Sequence, residues 1–574
     1  MTYLAEVTAL AQRQAAGVLR ELDGLLRSSP SHRVLARLIK VLTACYRAPG
    51  ARMNGEGRLL CAAARMGRAL LEAQGPTGLF DGGNLQSPPD TAFTANDVLD
   101  TLRLLDPPPD AGGAAAGPDV DEQLIGRLKE TLDACVEWLD EPLRSGGVHT
   151  PNHRWELCQA LAKLDARSPD PERRARIDQW LSEGIDVDPD GQYSERSANY
   201  AAHVTNRSLL VLARELGRPD LEDVVVRNLE AVVAMTDPSG NVETIHSRRQ
   251  DQFHTVPLSV FHHQLRLASV TRNRRDLAWW CARAWRMGVP DPGDELSNAL
   301  LDPRCTAPLL EPAAPGDDER RFASGLVVRR RRRQYLCLNG GSDWPVFRRA
   351  ASGLACNPTF LHAWVGDVEI RSLRLSRAFF GLGPFRAERI RRLRTAEVAG
   401  YLLSEEATAY YYQPLPDGLR RPGGDYPLEH EGRFAAAMAF SLRERDAVTL
   451  STEVVVLPRP DGVDLTVKTR GPRTHVCLEV ALPDLPASGV TRYGKDVWIP
   501  DGEEVTWGEG EGSLRIGIAG DTCAAPPLYE PGEELRHVGG TDAVDGPRLY
   551  ISVCVPGELR LRLRACSAPE ARCD

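Results

Sequence analysis

The sequence has no CxxC pair, and its 13 cysteines are odd in number and scattered over 574 residues. That pattern argues against a disulfide framework and for a reducing compartment. There is no apolar run long enough to span a bilayer. The start, MTYLAEVTALAQRQAAGVLRELDGLL, is amphipathic and lacks the continuous apolar core of a secretory leader. The expectation is a cytoplasmic protein with no membrane anchor, or a secreted one whose leader has been removed. Positive charge is not in excess: the net charge is −9 and the basic residues are spread along the chain, so nucleic acid is not the expected partner. HExxH, GxSxG, a Walker loop and a convincing GxGxxG setting are all missing. His262 and His263 are adjacent, so a helix turns them in different directions, and no paired Cys/His spacing appears. No cofactor or catalytic metal is expected, which leaves room for a structural ion only.

What is there reads as ordinary globular chain, 42% hydrophobic and 26% charged, and its length calls for two or three domains. In the first half, stretches such as LIGRLKETLDACVEWL, HRWELCQALAKL and LEDVVVRNLEAVVAM place apolar residues three and four apart, with short Pro/Gly/Asp connections between them. A long series of antiparallel helical hairpins forms either a solenoid or a closed α/α toroid. No fixed-period repeat is present, which favours the toroid. Residues 291–317 are rich in Pro, Asp and Gly and read as a linker. Beyond them the period switches to two, as in DAVTLSTEVVVLP and RLYISVCVPGELRLRLRAC. The expected architecture is an α/α toroid over 1–290, a linker over 291–317 and an antiparallel β-sandwich over 318–574. The run Arg329–Arg333 reads as a solvated strand face, or more sharply as an anion-binding wall.

Two clusters stand out in the helical half. PNHRW places Asn152 and His153 at a helix start. In DPDGQYSERSANYAAH, Ser197 is a plausible N-cap, with Tyr200 in the first turn and His203 near the next. The inner helices of a toroid run parallel and share one rim at their N-termini, where free N–H groups favour anions. Asn, His and Tyr at such a rim suit a uronic-acid sugar. An amide and an imidazole can neutralise its carboxylate as charge develops at C-5, while a Tyr or His moves the proton. Tyr193, Arg196, Arg248, Arg249 and His254 are candidate substrate contacts around the same rim.

These features resemble the heparinase II/III-like and alginate-lyase-like polysaccharide lyases. The resemblance rests on NHRW, on DGQYSERSANY, and on NPTFLHAWVGDVEIRS, which puts His362 in an early strand of the β half. It implies a toroid joined to a β-sandwich, an Asn152/His153 carboxylate neutraliser, a helical catalytic Tyr200, and His362 contributed by the β domain to face Tyr200. It also implies a uronic-acid-containing oligosaccharide or polysaccharide as partner, cleaved by β-elimination to an unsaturated uronosyl end. Tyr193 competes with Tyr200 for the proton-carrying part, and His203 with His362. Three other functions stay open: a uronosyl C-5 epimerase using the same site, a glycoside hydrolase on a toroid, which needs a carboxylate pair for which Asp81, Asp90 and Glu195 are available, and a non-catalytic carbohydrate-binding protein. Neither the polymer nor the oligomeric state can be read from the sequence.

Overall fold

The computed structural model describes residues 2–81, 86–106, 119–331, 334–341, 357–394, 399–430, 437–528 and 545–566. The chain forms two compact units: residues 1–233 with 256–315, and residues 234–255 with 316–574.

The first unit is helical, as the periodicity requires. Three of its helices begin where a capping side chain and a proline coincide. Ser87 accepts from the Asp90 N–H ahead of Pro88–Leu105, Asp170 accepts from Glu172 and Arg173 ahead of Pro171–Ser182, and Asp291 accepts from Asp294 ahead of Pro292–Leu301. The last of these falls in the stretch expected to be a linker. The Asp-Pro pair there starts a helix, and the 3-10 turn Pro303–Thr306 follows it. Helix His32–Arg47 packs on Pro88–Leu105, which packs on His153–Arg167, which packs on Asn206–Leu216; Pro292–Leu301 packs on both His32–Arg47 and the first helix, Tyr3–Arg27. First and last helices therefore meet, and the unit closes as a toroid.

The interior of that ring is charged. The Lys40 ammonium, fully buried, sits 2.5 Å from both Asp97 and Asp294, and Arg207 approaches the same two carboxylates at 3.3 and 3.1 Å. Lys163 pairs with Asp100 at 2.7 Å. Such ions are tolerated inside only because each cation meets a carboxylate.

The second unit is a large, almost wholly antiparallel sheet system. Its central strand, Gly462–Ala481, is flanked by Arg445–Arg459, Val368–Arg377 and Arg548–Ala565. One short parallel pair joins Val497–Pro500 to Arg548–Ala565. Alternate residues of Ala399–Tyr412 and Arg445–Arg459 are buried, the period-two signature of a sheet with one wet face. Within the arginine run, Arg330 donates to the Thr236 carbonyl at 2.6 Å, so it ties the segment 234–255 to this unit; Arg332 and Arg333 lie outside the described residues. Among the described residues no helix is long and apolar enough to cross a membrane.

Candidate active site

Asn152 immediately precedes helix His153–Arg167, yet its side chain makes no capping bond. It is 1% exposed. Its carbonyl oxygen accepts from the Thr150 hydroxyl at 2.7 Å, which fixes the amide plane, and its buried amide nitrogen has no hydrogen-bond partner among the described residues. A buried N–H left unused costs about 1–3 kcal/mol. The His153 ring lies edge-on to His149 at 4.8 Å and to Phe93 at 6.1 Å.

The second cluster is shaped by its backbone. Gly191 turns the chain with φ of 89°, and a Cβ there would stand 2.2 Å from the Arg227 carbonyl, so the turn admits no larger residue without a shift. Arg196 adopts φ of 50°, an uncommon conformation for a side-chain-bearing residue, and its N–H bonds the Tyr193 carbonyl at 2.8 Å. Ser197 then caps a single helical turn, Ala198–Tyr200, by accepting from the Tyr200 N–H at 3.0 Å. A π turn, Ala201–Thr205, follows and packs on helix His153–Arg167. Such insertions recur at functional sites because they re-aim side chains.

Beside the NHRW cluster stands a residue the sequence reading did not single out. The Arg33 guanidinium lies 4.1 Å from the centre of the Phe93 ring, the ring that meets His153, and it pairs with Asp90. Burial holds its pKa below the usual value, against the opposing pull of Glu156. Glu156 is a second residue missed. It sits one turn below His153, accepts from Asn96 at 2.8 Å and from Ser208 at 3.1 Å, and is pushed up chiefly by burial. The spacing in HRWE carried that signal.

Of the remaining candidates in this unit, Tyr193 is 5% exposed and donates its hydroxyl to Asn206 at 2.7 Å; burial pushes its pKa far up. It is placed as a buried strut rather than as a substrate contact. His203, on the π turn, lines a cavity of about 310 Å³ with Arg37, Arg207 and Asp294. Burial, then Arg37 and Arg207, lower its pKa, so it is neutral at physiological pH.

His362, Arg248, Arg249 and His254 belong to the second unit. His362, on strand Leu361–Val365, is 8% exposed and bracketed by carboxylates: Nδ1 lies 2.7 Å from Glu243 and Nε2 3.2 Å from Glu369. Burial opposes its charge, but Glu243 and then Glu369 overcome that and raise its pKa to about 10, while Glu243 is drawn down to about 2. It is therefore an imidazolium, able to donate a proton and not to accept one at neutral pH. His362 and His254 share a cavity of about 390 Å³ with Asp237, Glu243, Glu369 and Arg371. Arg248 and Arg249 are half-exposed on the loop before the short helical turn Gln250–Phe253. Asp237, His362 and Glu369 bring three ligand atoms within 4.8 Å of one another, with Glu243 on the other ring nitrogen, the arrangement of a cation site with an orienting carboxylate. A cation there would displace the proton that His362 shares with Glu369.

No protein-family model matches the chain, and no curated protein matches it. Solved structures do. The chain is similar to the heparan sulfate lyase HepC of Pedobacter heparinus, at 12% identity and a TM-score of 0.50, over 94% of this chain and 77% of that one. It is similar to the chondroitin AC lyase of Streptomyces coelicolor A3, at 14% identity and a TM-score of 0.51, over 99% of this chain and 80% of that one. A xanthan lyase of Paenibacillus matches at 9% identity and a TM-score of 0.50, over 94% of this chain but only 54% of its own length. The chain thus has the fold of the polysaccharide lyases, a helical toroid followed by a β domain.

Proposed function

We propose that the protein is a lyase that cleaves a uronic-acid-containing glycan by β-elimination. The observation that carries this reading is the Asn152 amide nitrogen, buried, oriented by Thr150 and lacking an acceptor, beside His153 at a helix N-terminus. A uronate carboxylate supplies that acceptor, and the amide and imidazole stabilise the negative charge that grows on it as the C-5 proton leaves. Tyr200 either removes that proton or protonates the departing glycosidic oxygen. The elimination routes no step through a metal. The fold neighbours, lyases of heparan sulfate, chondroitin and xanthan by name, support the same reaction class.

The test is a panel of uronate-containing glycans followed by ultraviolet absorbance of the unsaturated product, with wild-type protein and the Tyr200→Phe variant. The proposal expects absorbance with the wild type on at least one glycan and a severe loss with Tyr200→Phe at an unchanged thermal midpoint. Equal turnover by the two proteins removes Tyr200 from the chemistry. No absorbance on any glycan defeats the lyase reading.

A further inference from the structure

The strand Arg548–Ala565 is joined by a short extended segment, residues 521–528. Thr522 and Val553 form an antiparallel bridge, the Cys523 N–H donates to the Ser552 carbonyl at 3.0 Å, and the Cys554 N–H donates to the Asp521 carbonyl at 3.0 Å. Side chains alternate across such a pair, so Cys523 and Cys554 share the face opposite Thr522 and Val553 as diagonal neighbours. The two thiols interact. Both cysteines are free, Cys554 exposed and Cys523 half-buried. The segment is anchored further on, where the Ser552 hydroxyl donates to the Ala525 carbonyl at 3.0 Å and Leu528 packs against Cys477, Val497 and Tyr550. Residues 522–527 form one wall of a cavity of about 540 Å³ whose other side includes Tyr493, Ile499 and Asp501.

We propose that Cys523 and Cys554 are a thiol–disulfide exchange site that reacts with low-molecular-weight disulfides of the glutathione type and closes to an internal cross-strand disulfide. Two thiols that share a face as diagonal neighbours can meet once the short Cys523 segment shifts toward the strand, and that segment is the wall of a cavity, which the bond would lock to the sheet. One protein thiolate attacks the small disulfide, forming a mixed disulfide and releasing one small thiolate. The second protein thiolate attacks the protein sulfur of that mixed disulfide, forming the internal S–S bond and releasing the second small thiolate. The protein loses two thiol protons and two electrons, and one small disulfide becomes two small thiols.

The full chain is incubated with oxidised glutathione at neutral pH, and intact protein and proteolytic peptides are weighed by mass spectrometry under non-reducing conditions. The expected result is an intact mass lower by two hydrogen atoms, a peptide linking Cys523 to Cys554, and reversal by dithiothreitol. Cys523→Ser and Cys554→Ser should each trap a stable glutathione adduct on the remaining partner. Glutathione carried separately on both cysteines of the wild type, a link from either to a different cysteine, or no reaction at either position overturns the proposal. Glycan turnover plays no part in this readout.

Discussion

Asn152 shows most clearly how a residue's surroundings decide between a structural and a chemical part. An Asn before a helix ordinarily caps it, and here it does not. Asn152→Ala removes an unused donor and the bond from Thr150, so stability should fall by only about 1 kcal/mol while turnover should fall about 10²–10³-fold, as for loss of one charge-stabilising hydrogen bond. Steady-state kinetics beside a thermal melt measure both. Tyr193→Phe should behave in the opposite way. It strips a buried hydroxyl from Asn206 and should cost about 1–3 kcal/mol of stability in denaturant titration. The placement of Asn152, His153 and Tyr200 at helix starts was legible because helix starts announce themselves locally. The position of Arg33 was not, because nothing in its own neighbourhood says that the fold carries it to Phe93.

His362 gives a pH signature at the same scale. Its pKa is raised from 6.5 to about 10, so its contribution to stability is complete below pH 6.5 and is lost as pH rises through about 10. The Glu243 carboxyl, lowered from 4.5 to about 2, contributes above pH 4.5 and ceases to as pH falls through about 2. The stability difference between wild type and His362→Gln should therefore be greatest between pH 4.5 and 6.5 and shrink steadily towards pH 10. A difference that does not change across that upper range would remove the ion pair from the account.

Among the elements, the turn Ala198–Tyr200 with its π continuation matters most. Ser197 as its cap was readable, since Ser ahead of a short helical start is a common signal. The π turn was not, because one extra residue in a helix has no composition of its own. Ser197→Ala should cost about 1 kcal/mol of stability. It should lower turnover by more than that loss of folded protein explains, because Tyr200 is the residue whose N–H the cap holds. The helix Pro292–Leu301 teaches the reverse lesson. Asp291-Pro292 is a cap followed by a first-turn proline, a start signal that the richness in Pro and Gly obscured.

For the whole molecule, the change of hydrophobic period from three-and-four to two was enough to read a helical half followed by a β half, because each period reflects which side chains a helix or a strand turns inward. The inclusion of residues 234–255 in the β unit was not readable: the segment is contiguous with helices, and its allegiance is set by long-range contacts such as Glu243 with His362 and Arg330 with the Thr236 carbonyl. The central claim is a C-5 proton abstraction that ends in bond cleavage without water. It is tested most directly by mass spectrometry of the sugar products when a uronate glycan that the protein acts on is treated in deuterated water. The account predicts shortened chains with an unsaturated uronosyl end and no gain of water. Chains of unchanged length carrying deuterium at C-5 would mean epimerisation, and saturated fragments each richer by one water would mean hydrolysis; either result contradicts it.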